Sequence, residues 1–236
     1  MTAARIIETN QGIQSEVTAE IFDEFAKGMR DKGWNGVAEM IASGINGGDI
    51  LEIGPGPGYV GLELAKQVNP STFTGCEISP AMIRIAEKNA REYGIPARYV
   101  QGNGMNMPFE DEAFDGVVSN GSLHEWENPV QVFNEIYRVL RTGGRYCITD
   151  LRRDIGYFKK YMIYFSTKPK ELRPGFLSSL YASYTQEEME KLLNSSRLKG
   201  GVVIKDFMGL RITGEKHLPV PFGSYNYFYN KDIDKR

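Results

Sequence analysis

Gly54-Pro55-Gly56-Pro57-Gly58 stands between an apolar run at 50–53 and a helical stretch at 59–68. Glycines lack a Cβ and let a ligand come close to the backbone. A helix starting just beyond them turns unpaired N–H groups and a partial positive charge toward that ligand. A nucleotide-like molecule with an anionic group suits such a corner. Gly56-Pro57-Gly58-Tyr59-Val60-Gly61 also matches a dinucleotide fingerprint letter for letter. Pro55 and Pro57, however, have no N–H, which removes two donors from any pyrophosphate cradle. What remains suits the amino acid end of a ligand better than a phosphate-rich one.

Other polar residues recur where apolar runs end. Glu77 closes the second run, about twenty residues beyond the glycines, where a carboxylate can accept from both hydroxyls of a ribose. Gly102-Asn103-Gly104-Met105 follows the third; the Asn103 amide oxygen is an uncharged acceptor, and an Asn-Gly turn accounts for the same residues. Asn120-Gly121-Ser122-Leu123-His124-Glu125-Trp126 follows the fourth. His124 is one of two histidines and the candidate general base, with a structural histidine as the competing reading. His217 reads as incidental.

These residues need strands and helices to hold them. The stretch 15–43 reads as helical, with Val17, Ile21, Phe22, Phe25 and Met29 at three- and four-residue steps. Strands are expected at 50–53, 72–78, 98–101, 114–119 and 145–151. Helices between them start at Tyr59, after the cap Ser79-Pro80, and after Asn128-Pro129, the last ending at Gly143-Gly144. Such alternation predicts a parallel sheet covered on both faces. Beyond it lie an aromatic stretch at 152–184, a helix at 185–193 and a closing hairpin from 202–207 and 210–214. The aromatic stretch reads as a cap over the sheet's carboxyl edge or as an ordinary helical layer.

Leu51-Glu52-Ile53-Gly54-Pro55-Gly56-Pro57-Gly58 resembles the first motif of class I S-adenosylmethionine-dependent methyltransferases, on the branch that includes quinone-biosynthesis enzymes. The resemblance extends in element order over 48–216. It implies a Rossmann-like, doubly wound α/β sheet of seven strands, the last antiparallel, in one domain over 1–236. It implies S-adenosyl-L-methionine as cofactor, with S-adenosyl-L-homocysteine as product. By motif position Glu52, Gly54, Pro55, Gly56 and Gly58 seat the cofactor, Glu77 with Ile78 takes the ribose, and Asn103, Gly104 and Met105 take the adenine. Asn120 and Gly121 would face the methionine end, and Leu123 would pack near the adenine or sulfonium. The family often has Asp-Ala where Asn103-Gly104 stands here, so the adenine contact would be uncharged.

Composition narrows the rest. The chain has 236 residues, 41 % hydrophobic and 25 % charged, with net charge −2. No basic surplus marks it as a nucleic-acid binder, and the acceptor is expected to be a small molecule. No apolar run reaches about 18 residues and no leader stands at the start, so a cytoplasmic protein without a membrane span is expected. Cys76 and Cys147 read as buried reduced thiols, and two scattered histidines make no zinc signature. Neither a Gly-Lys-Ser/Thr nor a Gly-x-Ser-x-Gly motif is present. Arg152-Arg153 would hold an acidic acceptor or simply be solvated. The segment 217–236, rich in Phe and Tyr, reads as an arm over the site, a homodimer contact or a mobile tail. Two other functions remain open at this level: an NAD(P)-dependent oxidoreductase using Gly56 and Gly61, and a non-catalytic cofactor-binding subunit of a partner.

Overall fold

Strands whose side chains are apolar on both faces must be covered on both, and the computed structural model, which describes residues 4–7 and 13–217, shows how. Strands β1 (Asp49–Ile53), β2 (Thr72–Glu77), β3 (Ala97–Gln101), β4 (Phe114–Asn120) and β5 (Leu140–Leu151) run parallel. β6 (Val202–Lys205) and β7 (Gly209–Glu215) complete a seven-stranded sheet in the order β3-β2-β1-β4-β5-β7-β6. β7 is antiparallel to both neighbours. The expected sheet and its single reversed strand are therefore present.

Side chains alternate between the faces of each strand. Leu51, Ile53 and Val117 join Phe133 and Ile136 of helix α5 (Pro129–Val139) and Met189 and Leu193 of α8 (Gln186–Asn194). Ile50 and Val118 join Met40 of α2 (Val37–Ala42) and Leu64 of α3 (Tyr59–Val68) on the other face. Helix α4 (Pro80–Tyr93) packs Ala81 and Met82 on Ala19 and Phe22 of α1 (Glu16–Asp31). Cys76 and Cys147 are buried free thiols, as expected. Among the described residues no helix is long and apolar enough to cross a membrane.

Three boundaries differ from the sequence reading. The stretch 15–43 is two helices, because Gly33 and Gly36 both take φ +70 and break the ladder. Helix α5 stops at Val139, well before Gly143-Gly144. Leu140 is fully buried and extended, and it pairs with Phe114, so tertiary packing begins β5 there. The glycines form an irregularity inside the strand, with Gly143 donating to the Lys216 carbonyl at 2.9 Å. The aromatic stretch is α6 (Tyr157–Ser166) and α7 (Arg173–Ala182), joined by a 3-10 turn. Tyr157, Phe158 and Phe165 of α6 face solvent, so they form no wall against the sheet. The contacts come instead from α7, which packs on the 3-10 turn Leu123–Glu125 after β4. Of the segment 217–236, all beyond His217 lies outside the described residues.

Phe133 is fully buried between α5 and the sheet, so Phe133→Ala should cost ~3–5 kcal/mol in urea unfolding. Thr185 caps α8 in a reciprocal capping box with Glu188, and Thr185→Ala should cost only ~1 kcal/mol.

Candidate active site

The chain runs outward from β1 to β3 and then returns to place β4 beside β1. Ligands of such sheets bind at this reversal, beyond the strand carboxyl ends. The glycine loop lies there. Gly54, Gly56 and Gly58 take φ +64, +54 and +86, a region side chains rarely adopt. A Cβ at Gly54 would stand 2.7 Å from the Ser122 Cβ, and one at Gly58 would stand 2.7 Å from the Tyr99 hydroxyl. Gly58 donates to the Pro55 carbonyl at 2.9 Å, closing the turn, and α3 begins at the next residue. The first N–H groups of α3 have no acceptor within the helix.

Glu77, at the end of β2, is tied to this loop. Its Oε2 accepts from the Gly56 N–H at 3.0 Å and its Oε1 from the Ser79 N–H at 2.9 Å. Burial pushes this carboxyl up, against hydrogen bonds from Ser79, Gly56 and Ile78. A carboxylate offers roughly four lone-pair sites, so these backbone donors leave acceptor capacity for a ligand hydroxyl. Ser79 caps α4 through the Met82 N–H, and Ile78 beside it is half-buried.

Glu52 sits elsewhere than the motif suggests. It points from β1 under α3 and is 1 % exposed, so it supports the loop from below instead of lining the cavity side. A Cβ at Gly61 would come within 2.2 Å of its Oε2, which explains the glycine. That oxygen and the Tyr99 hydroxyl are buried and find no hydrogen-bond partner among the described residues. Burial pushes Glu52 up to about 8, the Glu77 charge adding to the shift and the Gly61 N–H opposing it.

The residues expected at the adenine, Asn103, Gly104 and Met105, are half-buried after β3. The Asn103 amide oxygen accepts from the Met105 N–H at 2.9 Å, so the Asn-Gly turn is real and occupies part of the oxygen's capacity. Gly104 lies against Ile53 and Val132, and the Met105 carbonyl accepts from Gln131 at 2.9 Å. After β4, the Asn120 amide oxygen accepts from the Thr149 hydroxyl at 2.7 Å. Gly121 takes φ +68 and has open space where a Cβ would stand. Leu123 is 1 % exposed within the main core. Its side chain packs within that core.

His124 is buried, with Nδ1 at 2.9 Å from Asp150 Oδ1. The same carboxylate accepts from the His124 N–H at 2.7 Å and the Leu151 N–H at 2.6 Å. A carboxylate only accepts, so it requires the proton on Nδ1 and makes Nε2 the basic nitrogen. Asp150, at the end of β5, was missed in the sequence because it closes an apolar strand and lies 26 residues from its partner. Arg5 crosses over this pair, donating to the His124 carbonyl at 3.0 Å and stacking 4.2 Å over the Tyr184 ring.

The amino-terminal segment supplies a further missed part. A side chain at Gly56 would meet Phe22 of α1 at 3.7 Å, so α1 lies over the loop. Asn89 holds the two together, donating to Asp23 at 3.1 Å and the Pro57 carbonyl at 2.9 Å. Arg152 and Arg153 are neither solvated nor turned to an acceptor: they pair with Asp154 and Glu188. His217 is an exposed neighbour of Glu215.

Residues 51–148 match the family model of the methyltransferase domain. The phthiotriol/phenolphthiotriol dimycocerosates methyltransferase of Mycobacterium leprae is 28 % identical over 175 residues, 74 % of this chain and 57 % of that protein. The chloroplastic 2-methyl-6-phytyl-1,4-hydroquinone methyltransferase 2 of Oryza sativa subsp. japonica is 32 % identical over 99 residues, 42 % of this chain and 28 % of that one. Among solved structures, a candidate S-adenosyl-L-methionine-dependent methyltransferase of Methanococcus maripaludis superposes with a TM-score of 0.72 at 28 % identity, covering 92 % of this chain and 100 % of that one. The chain thus spans little more than half of the first curated relative's length, 57 %.

The Glu52 carboxyl provides a test of this geometry. Its folded-state value, about 8, lies above the unfolded one. Its contribution to stability is therefore complete below the ordinary carboxylate range and is lost as pH rises through the folded value. Glu52→Gln never ionises. Its urea midpoint should equal the wild-type midpoint near pH ~5 and exceed it near pH ~9; parallel pH profiles would contradict the burial.

Proposed function

We propose that this chain, a class I S-adenosylmethionine-dependent methyltransferase in fold and family, transfers a methyl group to a small, partly apolar acceptor by in-line displacement. The observation that carries the reading is the Gly56–Glu77 bond at the sheet's reversal point, which joins the amino acid seat to the ribose acceptor. When bound, S-adenosylmethionine supplies a methyl group on a sulfonium with a good leaving group. The protein's own task is then mainly alignment, which proximity rewards strongly.

Each part has a stated task. The α3 N-terminus and the backbone at 54–58 hold the carboxylate of the amino acid end. Glu77 accepts from the ribose hydroxyls, and the 103–105 turn lines the adenine with backbone groups and the remaining capacity of the Asn103 amide. Asn120 and Gly121 border the methionine end. Phe22 and α1 cover the loop and exclude water. His124, oriented by Asp150, takes a proton at Nε2 from an acceptor that must lose one. The acceptors named for the relatives, dimycocerosates and a phytyl hydroquinone, support an apolar acceptor. The oxidoreductase alternative finds less support, since both loop prolines stand where a pyrophosphate would need donors.

Calorimetry with S-adenosylhomocysteine should show tight binding by the wild type and a loss of roughly 100-fold in Glu77→Ala, two charge-assisted hydrogen bonds being removed. Equal affinity in a folded Glu77→Ala would count against the ribose assignment. Once an acceptor is turned over, His124→Gln should lower kcat by about 10²–10⁴ with cofactor affinity unchanged. An Asp150→Asn variant with wild-type kcat would reject the pairing as functional.

A further inference from the structure

Helix α6 turns an apolar strip to solvent. Tyr157, Phe158, Tyr161, Met162 and Phe165 are 74, 80, 36, 46 and 62 % exposed, and no residue of the helix is buried. At about 100° per residue the five fall within an arc of about 140°. Lys159 and Lys160 flank that arc on opposite sides. The Lys159 ammonium stands 3.7 Å over the ring of Phe207, itself 61 % exposed, so the strip continues onto the β6–β7 turn. Lys160 donates to the Tyr181 hydroxyl at 2.6 Å. A contiguous exposed patch of this kind marks a surface with a partner.

Charge selects the partner. Residues 157–173 hold five basic residues against Glu171 alone, in a chain with 28 basic and 30 acidic residues. The acids nearby are engaged, Asp154 by Arg152 and Lys205, Glu188 by Arg153. A second copy would set this basic face against itself. The chain's own segment 218–236 carries Asp232 and Asp234 against Lys231, Lys235 and Arg236, and offers no net negative charge. An anionic lipid surface answers both features, since aromatic rings settle at headgroup depth and lysines extend their stems to reach phosphates.

We propose that α6 and Phe207 dock this protein on an anionic lipid surface, with the aromatic arc in the headgroup layer and the lysines at its margins. Helix α7, which follows, packs on both α6 and the 3-10 turn bearing His124, so one helix lies between the docked face and the candidate active site. Combined with the proposed methyl transfer, docking makes the acceptor a lipid-dissolved molecule, and that consequence alone rests on the earlier reading.

Co-sedimentation of the full chain with vesicles tests the docking without any turnover. The wild type should sediment with vesicles of phosphatidylcholine and phosphatidylglycerol in equal parts, remain in solution with phosphatidylcholine alone, and dissociate as salt rises. Phe158→Ser with Phe165→Ser should weaken binding at least about tenfold, as should Lys168→Glu with Lys170→Glu on the exposed loop beyond α6. The charge-reversal pair stands as an independent test should the aromatic pair fold poorly. Absence of wild-type binding to the anionic vesicles, or undiminished binding in either folded variant, overturns the proposal. So does a dimer in light scattering that Phe158→Ser with Phe165→Ser abolishes. S-adenosylhomocysteine affinity, measured on the same samples, keeps a failure of docking separate from a failure of cofactor binding.

Discussion

A buried carboxylate needs donors, and the two that Glu77 finds at 3.0 and 2.9 Å belong to the backbone of Gly56 and Ser79. One comes from the loop after β1, the other from the cap of α4 after β2. The side chain therefore fixes the ends of two strands relative to each other before any ligand arrives. The positive φ at Gly56 turns its N–H toward that carboxylate, and Pro55 and Pro57 on either side restrict how far the loop can move. Breaking this bond would leave a buried acceptor unsatisfied and free the loop, so stability and the shape of the seat depend on the same contact.

Below the loop the constraint is harsher. Glu52 is buried under α3 with one oxygen lacking a partner, and the nearby Glu77 charge makes its ionisation costlier. The close approach of α3 to the sheet, with Gly61 against Phe73, leaves no room for solvent to relieve it. Burial and the neighbouring Glu77 both favour the protonated form of Glu52. Above the loop, α1 and its Phe22 close the other side. The loop is thus held from beneath by Glu52, from the side by Glu77 and from above by an apolar helix.

The glycine loop, the place of Glu77 at a strand end and the parallel strands were legible because each is written locally. Glycine and proline identity dictates turn geometry, and alternation of apolar runs dictates strands. What escaped the sequence depends on distant packing. Asp150 looks like the polar end of an ordinary strand until β4 and β5 pair and bring it to His124. Phe22 reads as one more residue on a helix face until α1 folds over Gly56. Leu140 continues a helical pattern, yet burial against Phe114 makes it strand. The aromatic residues of α6 follow the same logic in reverse: their composition suggested a cap over the sheet's carboxyl edge or a helical layer, and the fold left them outside while α7 supplied the contact with the 3-10 turn.

A crystal structure of the full chain with S-adenosylhomocysteine would show whether the glycine loop and Glu77 seat the adenosyl ligand. The ribose hydroxyls should lie within hydrogen-bond distance of Glu77 and the amino acid carboxylate at the N-terminus of α3, with Glu52 still covered beneath the loop. A ligand bound with Glu77 facing away from the ribose, or seated outside the carboxyl ends of β1 and β2, would contradict that placement.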